Sequence, residues 1–201
     1  IVILSVKPQF YAEVISEIKD DVREDQIIIT IAPGKTLAWL KEQFGKNVKI
    51  VRTMPNTPAL VGAGMTAACP NEYMTKEEIA YVLTLLESFG RVEIIPERLM
   101  DTVVSVSGSS PAYVFMFIEA MADAAVSGGM PRAQAYQFAA QAVLGSAKMV
   151  LETGKHPGEL KDMVCSPAGT TIEAVRVLEE KGFRSSVIEA MKTCEEISKS
   201  M

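Results

Sequence analysis

Three short apolar runs set the terms for any fold of this chain. Residues 1–6 are almost wholly apolar, with Ile1, Val2, Ile3, Leu4 and Val6 and no polar alternation. A strand of that kind is covered on both faces, as in a parallel sheet. The pattern recurs at 26–31 and 48–52. Between the runs the period changes to that of a helix: Phe10, Val14, Ile15 and Ile18 share one face, and Thr36 sits where a cap would start a helix through Phe44. The order β-α-β-α-β predicts a doubly wound parallel sheet. A further strand is expected over 64–69. A helix over 75–89 follows, with Thr75 and Glu78 spaced as a capping box, and a last strand over 91–95.

From Leu99 onward every periodic segment is helical. The fold class is therefore α/β plus all-α: a partial doubly wound parallel (Rossmann-like) sheet over 1–96, then a helical domain over 97–201. Ser110-Pro111 opens a long helix, with proline at a first-turn position. Its residues Tyr113, Val114, Phe115, Met116, Phe117, Ile118 and Met121 are apolar nearly all round. Such a helix must be covered on every side. A second subunit is the expected cover, in a two-fold dimer; the hub of a bundle within one chain is the alternative. The apolar run 112–126 is broken by Glu119 and Asp123 and falls short of a membrane span, so no membrane partner is expected.

The remaining composition narrows the chemistry. Net charge is −5 with no basic block, which argues against nucleic acid. The single histidine, His156, precedes Pro157 as a helix-flanking residue, and a histidine metal site is excluded. Cys69, Cys165 and Cys194 are widely spaced, as in a reducing, cytoplasmic setting. No G-x-G-x-x-G dinucleotide motif occurs, and the chain opens on a strand pattern without methionine. The expectation is that the first β-α-β pieces of such a domain lie upstream.

Candidate sites follow from the strand ends, beyond which open α/β sheets bind ligands. Ser5, Val6, Lys7 and Pro8 follow the first run, and Ile31, Ala32 and Pro33 follow the second. Asn56 and Thr57 are held between Pro55 and Pro58 after the third. Late in the chain, Cys165-Ser166-Pro167-Ala168-Gly169-Thr170-Thr171 feeds a helix over 171–180. The free N–H groups of a helix start suit an anion.

Taken together, Val6-Lys7-Pro8-Gln9, Met54-Pro55-Asn56-Thr57-Pro58, Ser107 to Tyr113, His156 to Asp162 and Ser166 to Thr171 resemble pyrroline-5-carboxylate reductase, in order and over essentially the whole chain. About 60 further residues, two β-α-β units of about 30 each, would precede this chain in that family. The resemblance implies reduction of the cyclic imine 1-pyrroline-5-carboxylate to L-proline by hydride transfer from NADPH or NADH, the last step of proline biosynthesis. It implies that Ser5, Val6, Lys7, Pro8, Ile31, Ala32, Pro33 and Asn56 line the cofactor, Asn56 near the nicotinamide. Ser166, Gly169, Thr170 and Thr171 would hold the substrate, with the Thr171 hydroxyl catalytic at the ring nitrogen. It also implies an interleaved homodimer, or a larger ring of dimers, with the cofactor domain and the substrate loop drawn together across the dimer. Two departures stand out: Ala168 replaces a usual glycine, and Met163 replaces an asparagine that often contacts the cofactor. Beside this reading stand a related imine or hydroxyacid reductase on the same plan, and a non-catalytic dimeric scaffold.

Overall fold

In a computed structural model of the protein, which describes residues 1–200, five strands form one sheet in the order β1-β2-β3-β4-β5. They are β1 (Val2–Leu4), β2 (Ile27–Thr30), β3 (Lys49–Met54), β4 (Gly64–Pro70) and β5 (Gly90–Ile94). β1, β2 and β3 are parallel, as the alternation predicts. β4 departs from the all-parallel expectation by running antiparallel to β3, and β5 runs parallel to β4. The connection over 55–63 is too short for a crossover, which needs about a dozen residues. It holds only a 3-10 turn, Thr57–Val61, and so reverses the chain.

The helices of this half start where the sequence supplies acceptors. Pro8 opens a 3-10 turn leading into α1 (Tyr11–Ile18). The Thr36 hydroxyl accepts the Trp39 N–H at 3.1 Å and starts α2 (Leu37–Phe44). Both bonds of the Thr75–Glu78 capping box are made at the start of α3 (Lys76–Glu87). Each such cap stabilises its helix by about 1 kcal/mol.

The two-sided burial has a simple cause. Leu4, Ile28 and Ile50 face α1 and α2, packing with Tyr11, Ile15, Leu40 and Phe44. Ile27, Ile29, Val51 and Ala68 point the other way, onto Val82 and Leu86 of α3. Successive strand residues alternate faces, so a strand covered twice must be apolar throughout. β1 is only partly so: it lies at the sheet edge and Ile3 is half exposed, short of the two-sided cover expected for residues 1–6. Where β4 meets β5, Gly64 is paired with Gly90, and a side chain on Gly90 would run into the Gly64 backbone.

The helical half begins with α4 (Met100–Val103), a π-helical turn Val104–Gly108 and α5 (Ser110–Ser127). The π turn precedes Pro111, which has no N–H to give and clashes with the usual four-residue ladder. Ser109 N–H reaches back five residues to the Val104 carbonyl at 2.8 Å. Then come α6 (Arg132–Thr153), α7 (Pro157–Val164), α8 (Thr170–Glu180) and α9 (Phe183–Lys199). The chain divides into two compact units, residues 1–111 with 191–201, and residues 112–190.

Within 112–190 the buried apolar residues are Ala122, Ala135 and Ala139. α5 is thus not the hub of a bundle within one chain: Phe115 and Met116 are 62% and 69% exposed. The helical stretch Glu97–Ser127 is longer than the apolar run alone suggests. It is long and apolar enough to cross a membrane by length and composition, a test that core helices of soluble proteins also pass.

Candidate functional site

A cavity of about 730 Å³ opens beyond the carboxyl ends of β1 and β2. One wall is the loop Ser5, Val6, Lys7 and Pro8 with Gln9; the other is Ile31, Ala32 and Pro33 with Lys35. Seven of the eight residues expected to line a cofactor are therefore gathered in one place. Asn56 is the exception and is not part of this lining. Sequence reasoning missed Lys35, which has the same signal as Lys7, a cation just past a strand end. Its ammonium lies 4.8 Å from the centre of the Trp39 ring, partly buried. The lining carries two lysines and no carboxylate, so its field favours an anion. An apolar, backbone-walled cleft with a cationic rim fits a dinucleotide, whose rings need flat contact and whose phosphates need positive charge.

Asn56 has a different setting. Its amide nitrogen donates to the Ser107 carbonyl at 3.0 Å, and its amide oxygen accepts the Met65 N–H at 2.9 Å. The Ser107 carbonyl is the one that Pro111, four residues on, has no N–H to satisfy. Asn56 thus fills a vacancy created by Pro111 and ties the β3 exit to β4 and to the π turn. Two separate sequence features, Met54 to Pro58 and Ser107 to Tyr113, meet in the hydrogen bond from Asn56 to Ser107. Arg52, buried in β3, bonds Glu97 at 2.9 Å, and Glu97 also accepts the Leu37 N–H at 2.6 Å. Cys69 lies within the field of this pair, and burial foremost raises its thiol pKa.

In the unit 112–190, His156 caps α7: its Nδ1 accepts the Gly158 N–H at 3.0 Å. Met163 is largely exposed on α7, its sulfur 3.9 Å from the Lys155 ammonium. Ser166 to Gly169 then form a turn closed by Gly169 N–H to the Ser166 carbonyl at 3.0 Å. Pro167 stands at the second position and Ala168 at the third, with φ +57°. A turn with proline second and positive φ third is one that glycine ordinarily fills. Ala168 holds it at a cost of about 1 kcal/mol. Gly169 is the N-cap of α8 and no side chain caps this helix. A side chain on Gly169 would meet the Ser166 hydroxyl and crowd the Ser166 carbonyl, so glycine lets Ser166 lie close against the helix start. The Gly169 N–H is spent on the turn. The helix begins at Thr170, one residue earlier than the periodicity predicts, so Thr170 and Thr171 lie in its first turn, where N–H groups have no intrahelical partner. The Ser166 hydroxyl, two open amides and the Thr171 hydroxyl are therefore grouped at one helix start. Among the described residues no cluster of His, Cys, Asp and Glu could hold a metal.

A sheet unit with a cationic cleft at its strand ends, followed in sequence by an all-helical unit, is the plan of the two-domain dinucleotide-dependent reductases. Residues 97–201 match the family described as pyrroline-5-carboxylate reductase dimerisation. Over all 201 residues the chain is 63% identical to a pyrroline-5-carboxylate reductase of Escherichia coli K12, covering 75% of that protein. It is 44% identical to one from Methanosarcina acetivorans, covering 74% of it. A crystal structure of Plasmodium falciparum pyrroline carboxylate reductase with NADP bound superposes with a TM-score of 0.92 at 34% identity, over 98% of this chain and 75% of that one. The chain belongs to the pyrroline-5-carboxylate reductase family.

Proposed function

We propose that this protein reduces 1-pyrroline-5-carboxylate to L-proline, with NADPH, or NADH in its place, as hydride donor. The observation that carries the reading is the uncapped start of α8 beside the Ser166 hydroxyl. It suits a carboxylate on a small ring, and 63% identity to a relative named for this reaction supports it.

Ser5 to Pro8 and Ile31 to Pro33 hold the dinucleotide, chiefly through main chain and apolar contact, while Lys7 and Lys35 supply the charge its phosphates need. Asn56 shapes the neighbouring loop through its two protein hydrogen bonds. When bound, the cofactor supplies the hydride. The Thr170 and Thr171 amides seat the substrate carboxylate, with Gly169 allowing close approach. The Thr171 hydroxyl oxygen accepts the iminium N–H, its hydroxyl turns to donate to the nitrogen lone pair that forms as the hydride arrives, and this bond fixes which ring face is presented. As the C=N carbon gains a hydride, the π bond breaks and its electron pair moves onto nitrogen. A substrate that arrives protonated as the iminium ends as the neutral ring amine. Thr171 is too weak an acid to protonate the imine outright, so it orients.

The division of labour falls at residues 96 and 97, with the sheet domain for the cofactor and the helical domain for substrate and self-association. The uncovered apolar faces of α5 and α6 are the surface of a homodimer, or of a ring of such dimers, rather than a lipid-facing span. A cytoplasmic setting, with neither nucleic acid nor membrane as partner, accords with the acidic surface and free cysteines. Replacing Thr171 by alanine tests the site. Turnover should fall on the order of 100-fold, with the KM for NADPH nearly unchanged. Equal loss of both removes Thr171 from the substrate, and inertness of the five-membered imino acid beside activity on a six-membered one sinks the substrate assignment.

A further inference from the structure

Tyr11 is completely buried at the start of α1. Its hydroxyl donates to the Leu4 carbonyl at 2.6 Å and accepts the Ile31 N–H at 3.2 Å. Leu4 is the last residue of β1, Ile31 the first after β2, and Leu4 faces Thr30 in the last registered pair of the two strands. The phenol therefore spans the two strand ends just where the chain leaves the sheet. The loops that depart there, from Ser5 and from Ile31, are the two walls of the 730 Å³ cleft. Burial, the largest influence, raises the Tyr11 pKa, so the phenol stays protonated and keeps both bonds. Tyr11 belongs to the same buried apolar cluster as Ile15, Ile28 and Leu40, and the backbone of Ala32, next along the second loop, also bears on its hydroxyl.

We infer that Tyr11 is a positioning residue for the cofactor: its hydroxyl fixes the separation of the two loops that clasp the dinucleotide. It touches neither cofactor nor substrate and acts through Leu4 and Ile31. This inference rests on the cleft being the cofactor site. Its consequence is specific. Loss of the hydroxyl loosens one binding step and leaves the chemistry and the carboxylate loop alone.

The test compares the parent enzyme with Tyr11→Phe and Tyr11→Leu. Both variants lack the hydroxyl, and only phenylalanine keeps the ring. The KM for NADPH should rise about three- to tenfold in each, with kcat at saturating NADPH and the KM for the imino acid within twofold of the parent. Amide hydrogen exchange should quicken at Ile31 in both variants without NADPH. An unchanged KM for NADPH in Tyr11→Phe overturns the inference. So does a rise in the leucine variant alone, since ring packing would then be responsible, or an equal decline of every parameter. If the parent fails to oxidise NADPH with the imino acid, the functional reading fails instead. The Ile31 exchange rate still decides whether the hydroxyl holds the loop.

Discussion

Ile15, Ile28, Leu40 and Ile50, all in the unit 1–111 with 191–201, have no solvent exposure, whereas Phe138 of the unit 112–190 is 67% exposed and Phe115 and Met116 are nearly equally so. Both regions are rich in large apolar side chains. In the sheet unit the inner strands β2 and β3 find helices of their own chain on both faces, so their large apolar residues are buried internally. In the helical unit the buried contacts are made by alanines, and the large residues point outward. An apolar surface of this kind is a mark of assembly. Family membership in a dimerisation domain accounts for what covers it.

The strongest way to break that contrast is to charge the exposed face. Phe115→Asp combined with Met116→Asp should weaken self-association on the order of 100-fold or more, leaving a monomer by light scattering. A dimer that persists would place the interface elsewhere. Next in size, Ile28→Ala should lower unfolding stability by about 2–5 kcal/mol in denaturant melts. Phe138→Ala should shift the melt little at low protein concentration and chiefly raise the dimer dissociation constant. If both variants lose the same stability as monomers, the two regions do not differ.

Two smaller effects sharpen the contrast. Ala168→Gly removes a positive-φ side chain from the turn before α8 and should stabilise by up to about 1 kcal/mol, read as a raised denaturation midpoint. A lowered midpoint would mean the turn is not strained. In the sheet unit, hydrogen bonding from Lys49 first, then the Thr75 N–H, holds the Glu78 carboxyl below its ordinary value. The unfolded chain therefore binds a proton at Glu78 before the folded one does. Its contribution is complete above the usual Glu range and drains away as pH falls through the lowered folded value. Glu78→Gln should give a flatter acid limb of melting temperature below about pH 5. An identical limb would show that Lys49 does not hold the charge.

Much of the site was legible because its signals are local. Thr36, Thr75 and His156 announce helix starts within three residues, and the loops after 1–6 and 26–31 are marked by the strands they leave. Lys35 escaped only because the second loop was read no further than Pro33-Gly34. Other features had no local signal. The antiparallel sense of β4 depends on a connection too short to cross over. Asn56 looks free in the sequence, yet Ser107 and Met65 occupy both ends of its amide. The positive φ of Ala168 follows from closing Gly169 onto Ser166, a geometry alanine itself does not request.

By itself the sequence determined the class of each half, because apolar period is a property of neighbours along the chain: strands alternating with helices up to Pro96, helices after it. It also marked the strand-end loops and the glycine-led helix start from which the proposed sites are built. Only the tertiary structure decided which groups are already satisfied. Hydrogen bonds such as Tyr11 to Leu4 and Ile31, or Asn56 to Ser107, join residues 7, 20 and 51 positions apart. Side chains at such separations become partners only once the sheet has brought them within 3 Å or so, a distance no periodicity encodes.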